Sequence, residues 1–343
     1  MPSKAVIVRQ PGGTRHDPSR LIPGHPEVPV RLRRIEERLE EEGWLGQEVV
    51  ACGPGSRELA ELVHPKGYLD SLAQKAAAGG AVLDPDTALG PDSCAAAVEA
   101  AGAAAQLVDL LTDGARSRGF ALLRPPGHHA ERSRAMGFCL INNAAVAAAY
   151  ARSSKAIPRV AIVDWDVHHG NGTEAIFAAD PTVLYISLHR YPFYPGTGAA
   201  SDAGSGAGYG YTLNLPLPAG SDGRLWRAAL EGLALPALRR FAPQLIVISA
   251  GFDAHRLDPL GGCRLEAADY AELARAISTV GEELAAPVGA LLEGGYHPDA
   301  LADSVLATIT GLTDGRRPQP APSHPLVEEL RQVVGSRPLL KAA

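Results

Sequence analysis

Residues 160–172 read VAIVDWDVHHGNG, and this stretch joins a continuous apolar run directly to acidic and imidazole side chains. The four apolar residues 160–163 are typical of a strand that is buried on both faces of a parallel sheet. Asp164, Asp166 and His168 follow at alternating positions, which share one face in an extended chain. Buried carboxylates and imidazoles are costly to desolvate, and neighbouring carboxylates repel each other, unless a cation compensates them. The stretch therefore predicts a central strand that ends in a metal site.

Six similar apolar runs predict the other strands of the same sheet. These runs are residues 4–9, 119–124, 183–189, 211–217, 245–251 and 289–295, with 159–166 as the strand just described. Amphipathic helical patterns separate them, at residues 30–42, 94–113, 142–152, 223–240 and 267–283. Strands that alternate with helices indicate an α/β fold, in which helices cover both faces of a parallel sheet. We predict one such domain over residues 1–312, then a Pro-rich connection and a C-terminal helix within residues 313–343.

The composition is typical of a globular protein and argues against several kinds of partner. Hydrophobic residues make up 46% and charged residues 20% of the chain, and the formal net charge is -6. Because no basic cluster stands out, nucleic acid is not an expected partner. The N-terminus lacks the apolar core of a signal peptide, and Glu99, Gln106 and Asp109 interrupt the alanine-rich stretch 95–111. We therefore expect no membrane span and a cytoplasmic location. The sequence leaves the oligomeric state open, and a homo-oligomer is one possibility.

Three other predicted strands also end in polar residues. One is followed by His128 and His129, the second by Asp253 and the third by Tyr296. Open parallel sheets bind ligands beyond the carboxyl ends of their strands, so these side chains can meet the 164–168 cluster in one cleft. Asp253 would then complete an Asp/His/Asp set, which suits a catalytic divalent ion with an open coordination position. Oxygen-rich ligation suits Zn²⁺ and also admits Fe²⁺, Co²⁺ or Mn²⁺.

Each of these residues has a plainer interpretation when it is taken alone. A histidine at a strand end is more often a hydrogen-bonded structural residue than a ligand, and Asp164 could cap a helix or form an ion pair. The glycine-rich stretch 196–210 suggests a phosphate-binding loop only weakly, because no helix start and no Lys-Ser/Thr pair follow it. The constellation as a whole favours a metal site over these separate interpretations.

Six motifs, taken in order, resemble the histone deacetylase family, which includes bacterial deacetylase-like amidohydrolases and acetylpolyamine amidohydrolases. The motifs are RPPGHHAERSRAMGFCLINNAAVAA, VDWDVHHGNGTEAIF, YISLH, YPGTG, SAGFDAHRLDP and LEGGY. The likeness runs from about His25 to Tyr296 and beyond, and it is closest to the class II and bacterial branch because Asn171 stands where class I members carry aspartate. The resemblance implies the arginase/deacetylase α/β fold, with a central, mostly parallel eight-stranded sheet.

The resemblance also assigns the ion sites. It implies that Asp166, His168 and Asp253 bind zinc, and it moves Asp164 away from that ion to a place beside His128. A structural potassium or sodium ion would lie near Asp164, Asp166, His168, Ser187 and Leu188. A second, looser monovalent site would use main-chain carbonyls around Phe177, Asp180, Val183 and Tyr211.

The reaction that the resemblance implies is hydrolysis of an N-acyl amine, most simply acetyl-lysine in a protein or peptide. Zinc would polarise the amide carbonyl and activate a water. His129, paired with Asn171, would stay neutral and act as general base, whereas His128 beside Asp164 would be cationic. Tyr296 would donate a hydrogen bond to the developing oxyanion.

For the substrate, the resemblance implies a narrow tunnel. Phe138 and Tyr194 would form its walls, with Gly137 behind them. Asp92 would accept N–H groups of the substrate main chain at the rim, and the N-cap of a helix is an equal interpretation of this residue. Leu260 stands where polyamine-selective relatives carry a glutamate, which favours acyl-lysine over acetylpolyamine. The alternative is an amidohydrolase for small acylated amines, and a non-catalytic acyl-lysine binder or an arginase-like dimanganese enzyme is less favoured.

Overall fold

The predicted strands pair side by side in one parallel sheet, in a computed structural model that describes residues 5–341. The strands are β1 (Ala5–Arg9), β2 (Glu48–Ala51), β3 (Ala81–Asp84), β4 (Thr87–Leu89), β5 (Arg118–Leu122), β6 (Val160–Asp164), β7 (Val183–Arg190), β8 (Thr212–Leu217), β9 (Leu245–Ala250) and β10 (Val288–Leu292). Eight of them form the sheet in the order β2-β1-β5-β10-β9-β6-β7-β8, with parallel pairing throughout. Lys4, the first residue of the predicted strand 4–9, lies outside the described residues. The expectation of an α/β fold with an eight-stranded sheet is confirmed.

Three short strands were not predicted from the apolar pattern. Strand β2 lies at one edge of the sheet and is largely exposed, so its sequence carries no continuous apolar run. Strands β3 and β4 form a separate antiparallel hairpin, and its turn, residues 85–86, carries Asp86. Exposure and shortness hide such strands from any interpretation that depends on buried hydrophobic periodicity.

Helices connect the strands and cover the sheet. They are α1 (Val30–Glu41), α2 (Arg57–Glu61), α3 (Lys66–Ala77), α4 (Ser93–Thr112), α5 (Asn143–Ser154), α6 (Asn171–Phe177), α7 (Gly223–Ala229), α8 (Leu235–Phe241), α9 (Ala267–Glu283), α10 (Pro298–Thr313) and α11 (Pro325–Val334). The single helix expected over 223–240 is divided by a π-helical stretch, Leu230–Ala234, between α7 and α8. Pro236, in the first turn of α8, has no N–H to donate, which explains why regular α-helical hydrogen bonding is interrupted there.

Both faces of the sheet are buried, because successive strand residues point into different layers of core. In β6, Ala161 and Val163 pack into one hydrophobic cluster, whereas Val160 and Ile162 pack into the other. The first cluster is shared with α1, α9 and α10, and the second with α3, α4 and α5. This double burial is the reason that the strands read as continuous apolar runs.

Helix α4 is the one described helix that is long and apolar enough to cross a membrane by length and composition. In the structure 61% of its apolar window is buried inside the protein, where it packs against β5 and α5. Its alanines allow this close approach, so its composition is equally that of a buried core helix.

The strand order brings the polar strand ends together. Strands β5, β10, β9 and β6 are consecutive neighbours in the sheet, and they are the four whose carboxyl ends lead into the polar motifs. In a parallel sheet all carboxyl ends lie at one edge, so the polar residues must gather there. The architecture thus places the candidate site before any side chain is considered.

The contact between α4 and the sheet generates a stability prediction. A Cβ on Gly119 of β5 would lie 2.5 Å from a Leu107 methyl carbon and 3.0 Å from the Val6 carbonyl oxygen. We expect Gly119→Ala to lower the free energy of unfolding by about 1–3 kcal/mol through overpacking. The matched change Gly67→Ala in α3, where a Cβ meets nothing within 4 Å, should be neutral or stabilising by up to about 1 kcal/mol. Urea denaturation checks both, and equal effects would contradict the prediction.

Candidate active site and metal centre

Three side chains from two neighbouring strand ends converge on one point. Asp166 and His168 follow β6, Asp253 follows β9, and one potential ligand atom from each lies within 4.8 Å of the other two. The Nδ1 atom of His168 is 3.1 Å from an oxygen of Asp166 and 3.1 Å from an oxygen of Asp253. Two carboxylates and one imidazole are the number and kind of protein donors used by catalytic zinc sites.

The surroundings of this triad suit a divalent cation. A Cβ on Gly294 would lie 2.3 Å from Asp253 Oδ2 and 2.5 Å from Asp166 Oδ2, so only glycine leaves this space to the carboxylates. The amide of Gly294 donates to Asp166, and the amide of Val167 donates to Asp253. Burial and the neighbouring Asp166 carboxylate raise the pKa of Asp253 to about 7. A second negative charge is therefore unfavourable here, and a bound cation would remove this penalty.

Asp164 lies outside the triad. Strand β6 ends at this residue, so the extended alternation over 164–168 does not continue, and the Asp164 carboxylate turns toward His128 instead. Its Oδ2 atom is 3.0 Å from His128 Nδ1 and accepts a hydrogen bond from the Tyr185 hydroxyl. Burial alone would lower the pKa of His128, but the Asp166 and Asp164 carboxylates outweigh it and raise that pKa to about 10. His128 is accordingly an imidazolium at neutral pH.

His129 has the opposite character. Burial and the positive charges of His128 and His168 hold its pKa well below the ordinary value, so the ring is neutral. Asn171 fixes the tautomer: its Nδ2 donates to Glu131 Oε1 and approaches the Met136 sulfur, which turns its Oδ1 toward His129 Nδ1 at 2.8 Å. Because that oxygen can only accept, His129 Nδ1 carries the proton and its Nε2 keeps a free lone pair.

Tyr296 follows β10 and faces the same space. Its backbone N–H donates to Asp258 Oδ2 at 2.6 Å, and the Arg31 guanidinium lies 4.8 Å from the centre of its ring. Arg31 also donates to the carbonyls of Gly295 and Glu293, and these hydrogen bonds hold the chain that precedes the tyrosine. Burial raises the pKa of Tyr296 well above its ordinary value, and the hydroxyl therefore remains a proton donor at neutral pH.

These polar groups open into a cavity of about 190 Å³, which we call the site cavity. Its lining residues are Asp86, His129, Gly137, Phe138, His168, Phe193, Tyr194, Leu260 and Tyr296. The structure thus brings Gly137, Phe138, Tyr194 and Leu260 together with His129 and Tyr296, as the sequence predicted. Phe193 was not predicted, and its ring stacks on His168 with centroids 5.1 Å apart.

The acidic residue at this cavity is Asp86, and Asp92 lies elsewhere. Asp92 is exposed at the start of α4, makes no capping hydrogen bond through its side chain and does not line the site cavity. Asp86 accepts hydrogen bonds from the Thr87 hydroxyl and from the Gly137 amide, which hold its carboxylate at the cavity. The error has a physical cause, because the turn that carries Asp86 belongs to the unpredicted hairpin β3–β4.

Several further residues that support the site were also missed. Glu293 accepts hydrogen bonds from the amides of Gly127 and His128, and Asp258 accepts from the amides of Tyr296 and Leu260. Both acids stand inside the motifs LEGGY and FDAHRLDP, which was a usable signal. The contacts of Arg31 with Glu293 and Gly295 carry no local signal, because these residues are more than 260 residues away in the chain.

The two monovalent sites stay predictions. Ser187 lies opposite Asp164 in the register of β6 and β7, and Leu188 follows it. For the second site, the carbonyl of Phe177 accepts from the Asp180 amide, and the carbonyl of Tyr211 accepts from an amide of β7 two residues after Val183. These segments are therefore neighbours, as such a site requires.

Comparison with known proteins identifies one family. The histone deacetylase domain family matches residues 25–312. A probable deacetylase of Methanothermobacter thermautotrophicus is 40% identical over 326 residues, which cover 93% of this chain and 94% of the relative. A histone deacetylase-like amidohydrolase of Pseudomonas aeruginosa is 37% identical, with 89% and 81% covered. The crystal structure of the HDA15 HD domain superimposes with a TM-score of 0.90 at 36% identity, covering 98% of this chain and 96% of that one.

The triad generates a prediction about metal binding. We expect the protein to bind about one Zn²⁺ or Co²⁺ per chain, and Asp253→Asn to lose this binding because the amide removes one anionic donor while it keeps the shape of the side chain. Dialysis followed by elemental analysis measures the stoichiometry. The same substitution at the exposed Asp92 is the control and should bind metal normally. Undiminished binding by Asp253→Asn would show that the triad is not the site.

Proposed function

The chain belongs to the histone deacetylase family, and from that premise we propose that it is a zinc-dependent deacylase that hydrolyses N-acyl lysine, acetyl-lysine above all, in proteins or peptides. The observation that carries the proposal is the meeting of three features at one cavity. A metal-binding triad, a neutral imidazole with a free Nε2 and a tyrosine hydroxyl are grouped around the site cavity. Each of the three has a distinct task in the hydrolysis of an amide.

The residues of the chain account for the movement of protons. A divalent ion held by Asp166, His168 and Asp253 would supply Lewis acidity toward the amide oxygen and would lower the pKa of a water. His129 Nε2 takes a proton from that water as its oxygen attacks the carbonyl carbon. When the C–N bond breaks, the same imidazolium returns the proton to the departing amine nitrogen. The second proton of the water passes from the new carboxyl group to the amine, so the products are the carboxylate of the acyl group and the protonated amine.

His128 sets the protonation state on which this sequence depends. The rings of His128 and His129 are 4.0 Å apart, so the positive charge on His128 lowers the pKa of its neighbour. Asp164 and Asp166 keep His128 protonated, and the pair therefore contains one cation and one neutral base. This division of roles follows from the surroundings: two carboxylates face His128 and raise its pKa against the effect of burial, whereas burial and the charges of His128 and His168 lower the pKa of His129.

Tyr296 supplies the hydrogen bond that grows stronger during the reaction. Its hydroxyl would donate to the carbonyl oxygen as negative charge develops there, and its raised pKa keeps the proton on the phenol. Asp258 and Arg31 hold the backbone around it, so the chain that carries this hydroxyl is positioned before the substrate binds. A donor that is fixed in advance costs little reorganisation.

The walls of the site cavity suit the aliphatic stem of a lysine. Phe138 and Tyr194 line it with aromatic surface, and Phe138 is held because its amide donates to Thr87 Oγ1. Asp86 would accept an N–H group of the substrate main chain, the role that the sequence had suggested for Asp92. Apolar walls with an acceptor beside them favour an acylated side chain that is presented by a peptide.

A second candidate is an amidohydrolase for acetylpolyamines, and Asp86 is the observation that favours it. A carboxylate lining the cavity would also attract the second ammonium group of a polyamine. Leu260, which lines the same cavity, offers no such attraction and supports the peptide substrate. Turnover of an acetyl-lysine peptide and of acetylputrescine, each with and without a chelator, tests both functions. We expect faster cleavage of the peptide, loss of activity on chelation and recovery with Zn²⁺; activity that survives chelation would contradict the proposal.

Removal of the tyrosine hydroxyl tests the proposed mechanism. We expect Tyr296→Phe to reduce kcat about 10²–10³-fold, because the oxyanion loses its donor, while KM and metal content change little. Tyr150→Phe is the matched control, since it removes a hydroxyl that donates to Asp109 on another face of the protein. Steady-state kinetics on an acetyl-lysine peptide checks both variants. Equal kcat values for Tyr296→Phe and the native protein would exclude this role.

Replacement of Leu260 tests the basis of substrate choice. We expect Leu260→Glu to raise kcat/KM for acetylputrescine relative to the peptide about tenfold, the ratio that corresponds to ~1.4 kcal/mol for a partly buried ion pair. Leu260→Gln, which has the same shape without the charge, should leave the ratio near that of the native protein. If both variants shift the ratio equally, charge at this position does not select the substrate.

A further inference from the structure

The segment that follows the family match is built into the fold. After α10 the chain runs through a connection to α11, which buries Val327, Leu330 and Val334 in the hydrophobic core beside the π-helical stretch. Leu339 is also part of that core. The family match ends at residue 312, so these contacts belong to a part of the chain that lies outside the match.

One side chain of this segment reaches into the main domain. Arg337 is only 4% exposed, and its guanidinium donates to the main-chain carbonyls of Thr212, at 2.8 Å, and Ala200. Thr212 opens β8, the outermost strand on this side of the sheet. The preceding carbonyl, that of Tyr211, bonds to the Tyr185 amide of β7, so the Thr212 carbonyl points away from the sheet. Arg337 thus satisfies an acceptor that the sheet leaves open.

The second acceptor, Ala200, lies in the segment 194–210, which we call the glycine-rich loop. Six of its residues are glycine, so its backbone has little preference of its own for one conformation. Two buried histidines hold the beginning of this loop. Thr197 Oγ1 is 2.8 Å from His169 Nδ1, and the Gly198 carbonyl is 2.9 Å from His189 Nε2. Tyr194, its first residue, lines the site cavity.

The end of the glycine-rich loop meets the same C-terminal segment. A Cβ on Gly210 would lie 2.7 Å from Pro338 Cδ, and Gly210 has a φ of +92°, so glycine permits both the turn and the close contact. Arg337 therefore hydrogen-bonds to the middle of the loop, and Pro338 packs against its end. His169 and His189 hold its first residues, and the Ser205 amide, which donates to the Ala178 carbonyl, holds one later point.

We propose that Arg337 is a positioning residue for substrate binding: it fixes the glycine-rich loop and thereby the wall that Tyr194 contributes to the site cavity. The effect on substrate rests on the proposed function, whereas the effect on the loop does not. Arg337 touches none of the proposed catalytic groups, so its loss should weaken binding of the acyl-lysine stem more than it slows the chemistry. The C-terminal segment then acts as an anchor for one wall of the site.

The test compares two arginines of the same segment. Arg331 also donates to a main-chain carbonyl, that of Gly232 in the π-helical stretch, and so anchors the segment without contacting the loop. We expect Arg337→Ala to raise KM for an acetyl-lysine peptide about three- to tenfold with kcat within about twofold, and Arg331→Ala to leave KM near native. In hydrogen exchange, amides of residues 196–210 should exchange at least about tenfold faster in Arg337→Ala alone.

A conservative variant covers the case in which Arg337→Ala fails to fold. Arg337→Lys keeps the charge but loses the fork that bonds two carbonyls at once, and it should show the same changes at smaller amplitude. Native exchange in the loop for both Arg337 variants, or equal changes in Arg331→Ala, would overturn the anchor. If the native protein cleaves no acyl-lysine substrate and the loop still exchanges faster only without Arg337, the proposed function fails and the anchor stands.

Discussion

Compensation of buried charge is the constraint on which the rest of this structure depends. Asp164, Asp166, Asp253 and the two histidines His128 and His129 are buried at the ends of strands β6, β9 and β5. Each charge there requires a partner, since an isolated buried ion is strongly unfavourable. One imidazolium and one metal ion would balance the three carboxylates, and the site cavity exists at the place where this balance is achieved.

The same balance explains why two adjacent histidines differ so much. The pKa of His128 is raised and the pKa of His129 is lowered, although both residues are buried and are neighbours in sequence. The difference comes from the charges that face each ring: the Asp166 and Asp164 carboxylates raise the pKa of His128 against the effect of burial, whereas burial and the positive charges of His128 and His168 lower the pKa of His129. A neutral imidazole is the form that can accept a proton, so the surroundings give two adjacent rings different chemical properties.

Support for the site comes from parts of the chain that carry no chemistry. Asp258 holds the Tyr296 backbone and the Leu260 amide together, and thus links the proposed oxyanion donor to a wall of the cavity. The turn at Asp86 and the glycine-rich loop supply other walls; Thr87 and Gly137 donate to the Asp86 carboxylate, and Arg337 donates to the loop from outside the site. Precise placement of reacting groups depends on such contacts, because loops alone would leave them mobile.

By itself the sequence determined the strands that are buried on both faces, since double burial demands continuous apolar residues. It also predicted the candidate metal triad, since acids and imidazoles that cluster after such strands need a cation to balance their buried charge. Only the tertiary structure decided that β5, β10, β9 and β6 are neighbours, and that Asp86 instead of Asp92 lines the cavity. The positions of exposed strands, turns and contacts between distant residues depend on how other parts of the chain pack. Local sequence carries no record of that placement.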